Sequence, residues 1–303
     1  MLATDGHCRY LACLSKGKSL WPSMSRYHAI AGGPERGDRA DRALLSEGIA
    51  VYVACSTLCF GRLPLDEALR TIRDMRFAKV DLALRAEGPH LRPEEVLADV
   101  SRMAQRLKSA NVQFAAFDLA FDTYDGVEVR NQLRAVCRLA RLLAVPVLSV
   151  PAAAVGADPN VEVARLTDWQ KVAEGDGLIL TVSTHTDTMT GDANCAAELC
   201  RRVPGLGLTL DPSYYLCGPH APVNFDHLYP FVRHTRLRDS GTKPEEFQVR
   251  VGQGQIDYAR VIGCLQLQGY DRTLSVDVRD IPDSTFPVDP EVRKLKYLLE
   301  SLI

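Results

Sequence analysis

From Val51 onward, short apolar runs alternate with longer stretches in which apolar residues recur at helical spacing. The run Val51–Leu58 is the first strand-like segment, and Pro64 then opens a stretch, LDEALRTIRDM, with one apolar face. Lys79–Leu84 is a second strand. It is followed by a helix expected over Pro93–Ala110, with Glu94 and Glu95 in the first turn, where a helix dipole favours acids. The same alternation continues through strands at Val112–Leu119, Val145–Val150, Leu178–Ser183, Leu206–Asp211, Phe231–Leu237 and Thr273–Asp277. Helical patterns separate them, and the chain closes on EVRKLKYLLESLI. Strands alternating with helix-sized crossovers predict a parallel sheet. Eight such units in about 250 residues predict a closed α/β (β/α)8 barrel. An open doubly wound sheet is the alternative, but no glycine-rich phosphate fingerprint follows the first strand.

Residues 1–48 break this pattern. The stretch Ala31–Arg42, AGGPERGDRADR, has almost no large apolar side chain and reads as a linker or tail. The expected division is therefore a leader at 1–48 and a barrel at 49–303. Composition narrows the partners. Apolar residues make up 46% of the chain, enough for a large core, and the net charge of −2 gives no general pull toward nucleic acid. No run reaches the roughly 20 apolar residues that span a bilayer. Nine cysteines without a repeated spacing read as buried reduced thiols, and the expected location is cytoplasmic. Oligomeric state is not legible.

In a barrel of this type, chemistry sits at the C-terminal ends of the strands. Asp81, Asp118, Ser183, His185, Asp211, His234, Arg236, Arg238 and Asp277 all fall near such ends. Strand alternation turns Asp211 and Asp277 away from the leucine and valine positions beside them, and so toward the barrel mouth. Two acids and one or two imidazoles there would suit a divalent cation. The plain alternative is that Asp211, before Pro212, caps a turn and that His234 is an interior histidine. The arginines around Arg236 are either an ion-paired strand end or an anion clamp.

These segments resemble a known family. PLDEALRTIRDMRFAKVDLAL, LTVSTHTDTMTGD, PGLGLTLDPSYYLCG, RHTRLRDSG, VRVGQGQIDYARVI and LSVD together are similar to the xylose isomerase-like TIM barrels, broadly sugar phosphate isomerases and epimerases. The resemblance implies a divalent metal (Mn, Mg or Zn) held by acids on strands five, six and eight and a histidine on strand seven. It places Asp211 and Asp277 as metal ligands and as the acids that move a proton beside a carbonyl. It places His185, Ser183, Tyr214 and His234 around the substrate. Ser183 stands at the strand-five glutamate position and Arg236 at the strand-seven histidine position. A serine is a poor ligand and a guanidinium cannot be one, so these exchanges weaken the metal site. The first expectation is a sugar isomerase or epimerase with an altered metal site, in which Arg236 takes over part of the electrophilic role. The second is a non-catalytic barrel that binds an anionic sugar or sugar acid. An apurinic-site endonuclease ranks third, for want of a dense His and Glu cluster and a basic groove.

Overall fold

The computed structural model describes residues 51–123, 126–218, 221–281 and 284–303, so the expected leader at 1–48 lies outside the described residues. Eight parallel strands close into a barrel in the order β1 to β8. They are β1 (Tyr52–Ser56), β2 (Lys79–Arg85), β3 (Phe114–Ala120), β4 (Val147–Pro151), β5 (Ile179–Ser183), β6 (Gly207–Leu210), β7 (Val232–Leu237) and β8 (Thr273–Val276). The barrel closes where β1 pairs with β8, from Tyr52 against Thr273 to Cys55 against Val276.

Helices fill the crossovers: α1 (Leu65–Asp74), α2 (Pro93–Ala98), α3 (Val100–Ser109), α4 (Val127–Leu142), α5 (Pro159–Gly175), α6 (Ala193–Arg202), α7 (Ser213–Leu216), α8 (Tyr258–Leu267) and α9 (Val288–Glu300). The single helix expected over Pro93–Ala110 is two. Asp99 takes an extended conformation (φ −158°, ψ 90°), and its carboxylate accepts from the Arg102 amide, ending α2 and capping α3. Short acids favour caps over helix interiors for this reason. The first strand also ends early. The Ser56 hydroxyl accepts from the Leu58 amide and starts a 3₁₀ turn at Thr57–Phe60.

The apolar core lies between the sheet and the helices. Leu82, Leu84, Phe117, Leu119, Leu148, Leu180, Val182 and Leu208 face outward from their strands and are fully buried under the helical ring. Leu65, Ala68, Leu69 and Ile72 of α1 supply one matching stripe. Each fully buried side chain of this size contributes roughly 1.5–3 kcal/mol. The residues between them alternate to the inside, and there the barrel departs from the branched apolar filling common to the fold. Asp81, Asp118, Ser149, Thr181, Thr209, His234, Arg236 and Ser275 fill it instead, all buried. A polar interior of this kind holds only if its charges pair.

Candidate functional site

Strand β7 presents every second side chain to the interior: His234, Arg236 and then Arg238 just past its end. Each meets an acid from another strand. Lowest, His234 Nε2 and Asp81 Oδ2 of β2 are 2.6 Å apart, and both side chains are closed to solvent. One rung up, Arg236 reaches Asp118 of β3 at 2.9 Å. Asp118 also accepts from Arg85 of β2, whose Nε donates at 2.8 Å. At the top, one terminal nitrogen of Arg238 donates to Asp211 Oδ2 at 2.8 Å and to Asp277 Oδ2 at 2.5 Å. Arg279, beyond β8, adds a contact to Asp277 at 3.3 Å.

Burial alone would raise the carboxyl pKa of Asp277, but Arg279, Arg238 and Arg236 outweigh it and hold it well below the usual carboxylate range. Asp118 is buried likewise and is held low by Arg236 and Arg85. The Arg236 guanidinium is pushed down by burial and raised overall by Asp118, Asp277 and Asp81. These acids are locked in their ionised form.

The expected residues are thus only partly brought together. Asp211 and Asp277 converge at the mouth, but on Arg238. Arg236, expected at the strand-seven position of the mouth, sits one rung lower against Asp118. His234, expected beside the substrate, is the interior histidine of the plain reading and does not reach the mouth. Ser183, His185 and Tyr214 do line a small cavity there, with Arg85, Arg236 and Arg279 across from them. Asp211 also does what a turn acid does, since its Oδ1 accepts from the Ser213 amide at 3.0 Å and starts α7.

Arg85 and Arg279 were not singled out in the sequence; Arg238 was, within an arginine cluster read as an ion-paired strand end or an anion clamp, and it is ion-paired. The signal for Arg238 was the period-two run His234, Arg236, Arg238. The VGQGQ segment also finds its place. Asp239, next to Arg238, accepts from the amides of Gly252 (2.7 Å) and Gly254 (3.1 Å). A Cβ on Gly254 would come within 2.1 Å of the Asp239 carboxylate, so only glycine fits.

The donor set does not suit a divalent ion. Both facing acid oxygens are taken by Arg238. The Ser183 hydroxyl donates to the Val150 carbonyl at 3.3 Å, and His185 Nδ1 accepts from the Asp187 amide at 3.1 Å. Among the described residues, no three His, Cys, Asp or Glu side chains gather as ligands. A guanidinium between two acids repels a cation.

A family model, the xylose isomerase-like TIM barrel, matches residues 58–300. The chain belongs to that family. No curated protein matches this xylose isomerase-like barrel by sequence. Among solved structures, it is similar to D-allulose 3-epimerase from Methylomonas sp. The TM-score is 0.66 at 12% identity, covering 84% of this chain and 98% of that one. It is similar to 3-keto-D-glucoside 4-epimerase from E. coli, with a TM-score of 0.62 at 12% identity, covering 83% and 100%. It is also similar to a xylose isomerase-like TIM barrel protein from Mycobacterium smegmatis in complex with magnesium. There the TM-score is 0.64 at 16% identity, covering 84% and 98%. At these identities the likeness is one of fold.

A second opening, of about 800 Å³, lies at the other end of the barrel against the N-terminal ends of β2 and β3. Among the described residues, its charged lining is Arg73, Lys79 and Lys108, and Arg73 pairs with Asp74 at 3.6 Å. The fold keeps its chemistry at the opposite face. Among the described residues, no helix is long and apolar enough to cross a membrane.

Proposed function

We propose that this barrel recognises an anionic carbohydrate at its mouth and does so without a divalent ion. Arg238 stands where the family resemblance sets the metal, between Asp211 and Asp277. That contact carries the reading. A fixed guanidinium supplies positive charge and directed donors, the electrostatic part of what an ion would give. It does not supply open coordination positions, and it occupies the facing oxygens, Asp211 Oδ2 and Asp277 Oδ2. An acid held well below its usual range is also a weak proton acceptor near neutral pH. The sugar class is carried over from the family and from the epimerases that share the fold. Cys55, Cys59, Cys137, Cys200, Cys217 and Cys264 are free thiols, which supports a reducing, cytoplasmic setting.

The convergence of Asp211 and Asp277 favours a second reading, a metal-assisted isomerase or epimerase, in which Arg238 must swing out to admit an ion. One experiment separates the two. Mn²⁺, Mg²⁺ and Zn²⁺ are titrated calorimetrically into protein stripped with chelator, and thermal shifts are then read with sugar acids, sugar phosphates and neutral sugars. Anionic sugars that raise the melting temperature equally with and without chelator support the first reading. Tight ion binding coupled to sugar turnover replaces it with the second.

A further inference from the structure

Resting on the anionic-sugar reading, we infer that the mouth is divided into an inner notch for one carboxylate oxygen and an outer chamber for a ring. The ligand class is then a ring-bearing sugar acid rather than a sugar phosphate. The inner cavity measures about 20 Å³, room for about one water-sized atom. Arg85, Arg236 and Arg279 line it beside Ser183, Thr209 and Asp211, whose carboxylate is held by Arg238. The outer chamber measures about 450 Å³, within the range of small-ligand sites. The two share His185, Tyr214 and Arg279, so they are neighbouring parts of one mouth.

Charge draws an anion there. Four guanidinium groups (Arg85, Arg236, Arg238 and Arg279) face three carboxylates (Asp118, Asp211 and Asp277), leaving one positive charge in excess in this inner layer; Asp187, on the outer chamber, is 86% exposed and eased by solvent. The Asp81 carboxylate lies a rung below, against His234. Arg279 is oriented by its Nε contact to Asp277 at 3.3 Å, and its side chain stays 24% exposed. A planar carboxylate can place one oxygen in the notch and turn the other to the Arg279 fork.

A phosphate monoester has three charged oxygens set tetrahedrally. With one in the notch, the others meet the aromatic wall. That wall is continuous: the rings of His185 and Tyr214 lie 4.7 Å apart, and those of Tyr214 and Phe247 lie 4.8 Å apart. Charged oxygens against it lose their water without a partner, whereas a sugar ring gains its contacts. His185 Nδ1 accepts from the Asp187 amide, so the ring proton sits on Nε2 as a donor for a ring hydroxyl.

The test is calorimetry on the full chain with D-glucuronate, D-glucose 6-phosphate, D-glucose and inorganic phosphate. Glucuronate binds, glucose does not, and the phosphate ester binds about tenfold or more weaker than the acid. Arg279→Gln weakens glucuronate about tenfold or more, and Arg279→Lys does not restore it. Phe247→Ala, a half-buried position on the wall whose ring also lies over Arg238, weakens glucuronate as well, with the variant still folding cooperatively at a melting temperature lowered by a few degrees, which covers the case in which Arg279→Gln fails to fold. A phosphate ester that binds as tightly as the acid overturns the carboxylate assignment and leaves the anionic-sugar reading standing. Glucose matching glucuronate, or no sugar binding at all, overturns both.

Discussion

Replacing Arg238 by Met isolates the top rung of the barrel interior. The side chains of Arg238, Asp211 and Asp277 are 1%, 3% and 0% exposed, so none of the three charges is eased by solvent. Met keeps the length of the stem and removes the charge. Asp211 and Asp277 are then left with Arg279, which touches only Asp277, at 3.3 Å. Breaking a buried charge pair by removing one partner costs about 3–5 kcal/mol, since the survivors are buried uncompensated. For a barrel of this size each kcal/mol lowers the melting temperature by about 2–4 °C, so the drop is on the order of 10 °C. Urea denaturation followed by circular dichroism reads it as a lower midpoint at unchanged slope. Adding Asp211→Asn and Asp277→Asn to Arg238→Met recovers most of the loss, because the like charges go with their counterion. Millimolar Mn²⁺ also stabilises Arg238→Met but not the wild type, as a ligand that binds only the native state must. A loss below about 1 kcal/mol in Arg238→Met, with no response to Mn²⁺, refutes the view that Arg238 is the counterion of these two acids.

Three further outcomes follow from the same structure. Asp277 and Asp118 have native pKa values held below their ordinary ones, so their contribution to stability is complete above about pH 4 and is lost as pH falls through the native values; acid denaturation of wild type against Asp118→Asn measures it. His185 and His90 are lowered mainly by burial, so the unfolded chain takes up protons that the fold refuses. Stability therefore falls as pH drops from 7 through about 6.5, then levels off below the native values, and His185→Gln shrinks that step in a pH series of urea midpoints. Leu82→Ala empties a fully buried site between sheet and helices and costs about 2–5 kcal/mol by urea denaturation, without altering ligand affinity at the mouth.

The barrel was legible because each strand and helix carries its own period, and eight alternations admit few arrangements. Asp211 and Asp277 were legible as mouth residues for the same reason, since each alternates with leucines and valines that face the helices. What the alternation of β7 could not give was its height in the barrel. Between β6 and β7 the register slips: Leu208 pairs with Val232, but Thr209 pairs with His234. Against β8, Arg236 pairs with Ser275, two residues short of Asp277, so Arg238 and not Arg236 stands level with that acid. Register is a property of two strands together, and neither sequence contains it alone. Arg85 and Arg279 were passed over because a single arginine at a strand end looks like any solvated charge. The break at Asp99 had no proline or glycine to announce it, only an acid whose side chain prefers a cap.

The polar interior also explains why the position that the resemblance assigns to a metal can hold a side chain without loss of the barrel. His234, Arg236 and Arg238 stand on one face of β7, and each is matched by acids from different strands: β2, β3, and the ends of β6 and β8. The lower two rungs tie β7 across the interior to β2 and β3; the His234–Asp81 rung is closed to solvent, and Arg236 of the next one borders the mouth cavity. The top rung ties together two acids that lie past the ends of their strands. Positive charge must be present there as long as Asp211 and Asp277 are both ionised, but its source is not dictated by the rungs beneath it. A metal ion and a guanidinium are alternative answers to the same electrostatic demand. They differ in what they leave for a ligand. An ion offers open coordination positions, whereas Arg238 closes the gap between the acids; under the proposed reading, recognition then falls to the arginines at the rim, Arg85 and Arg279, and to the aromatic wall beside them.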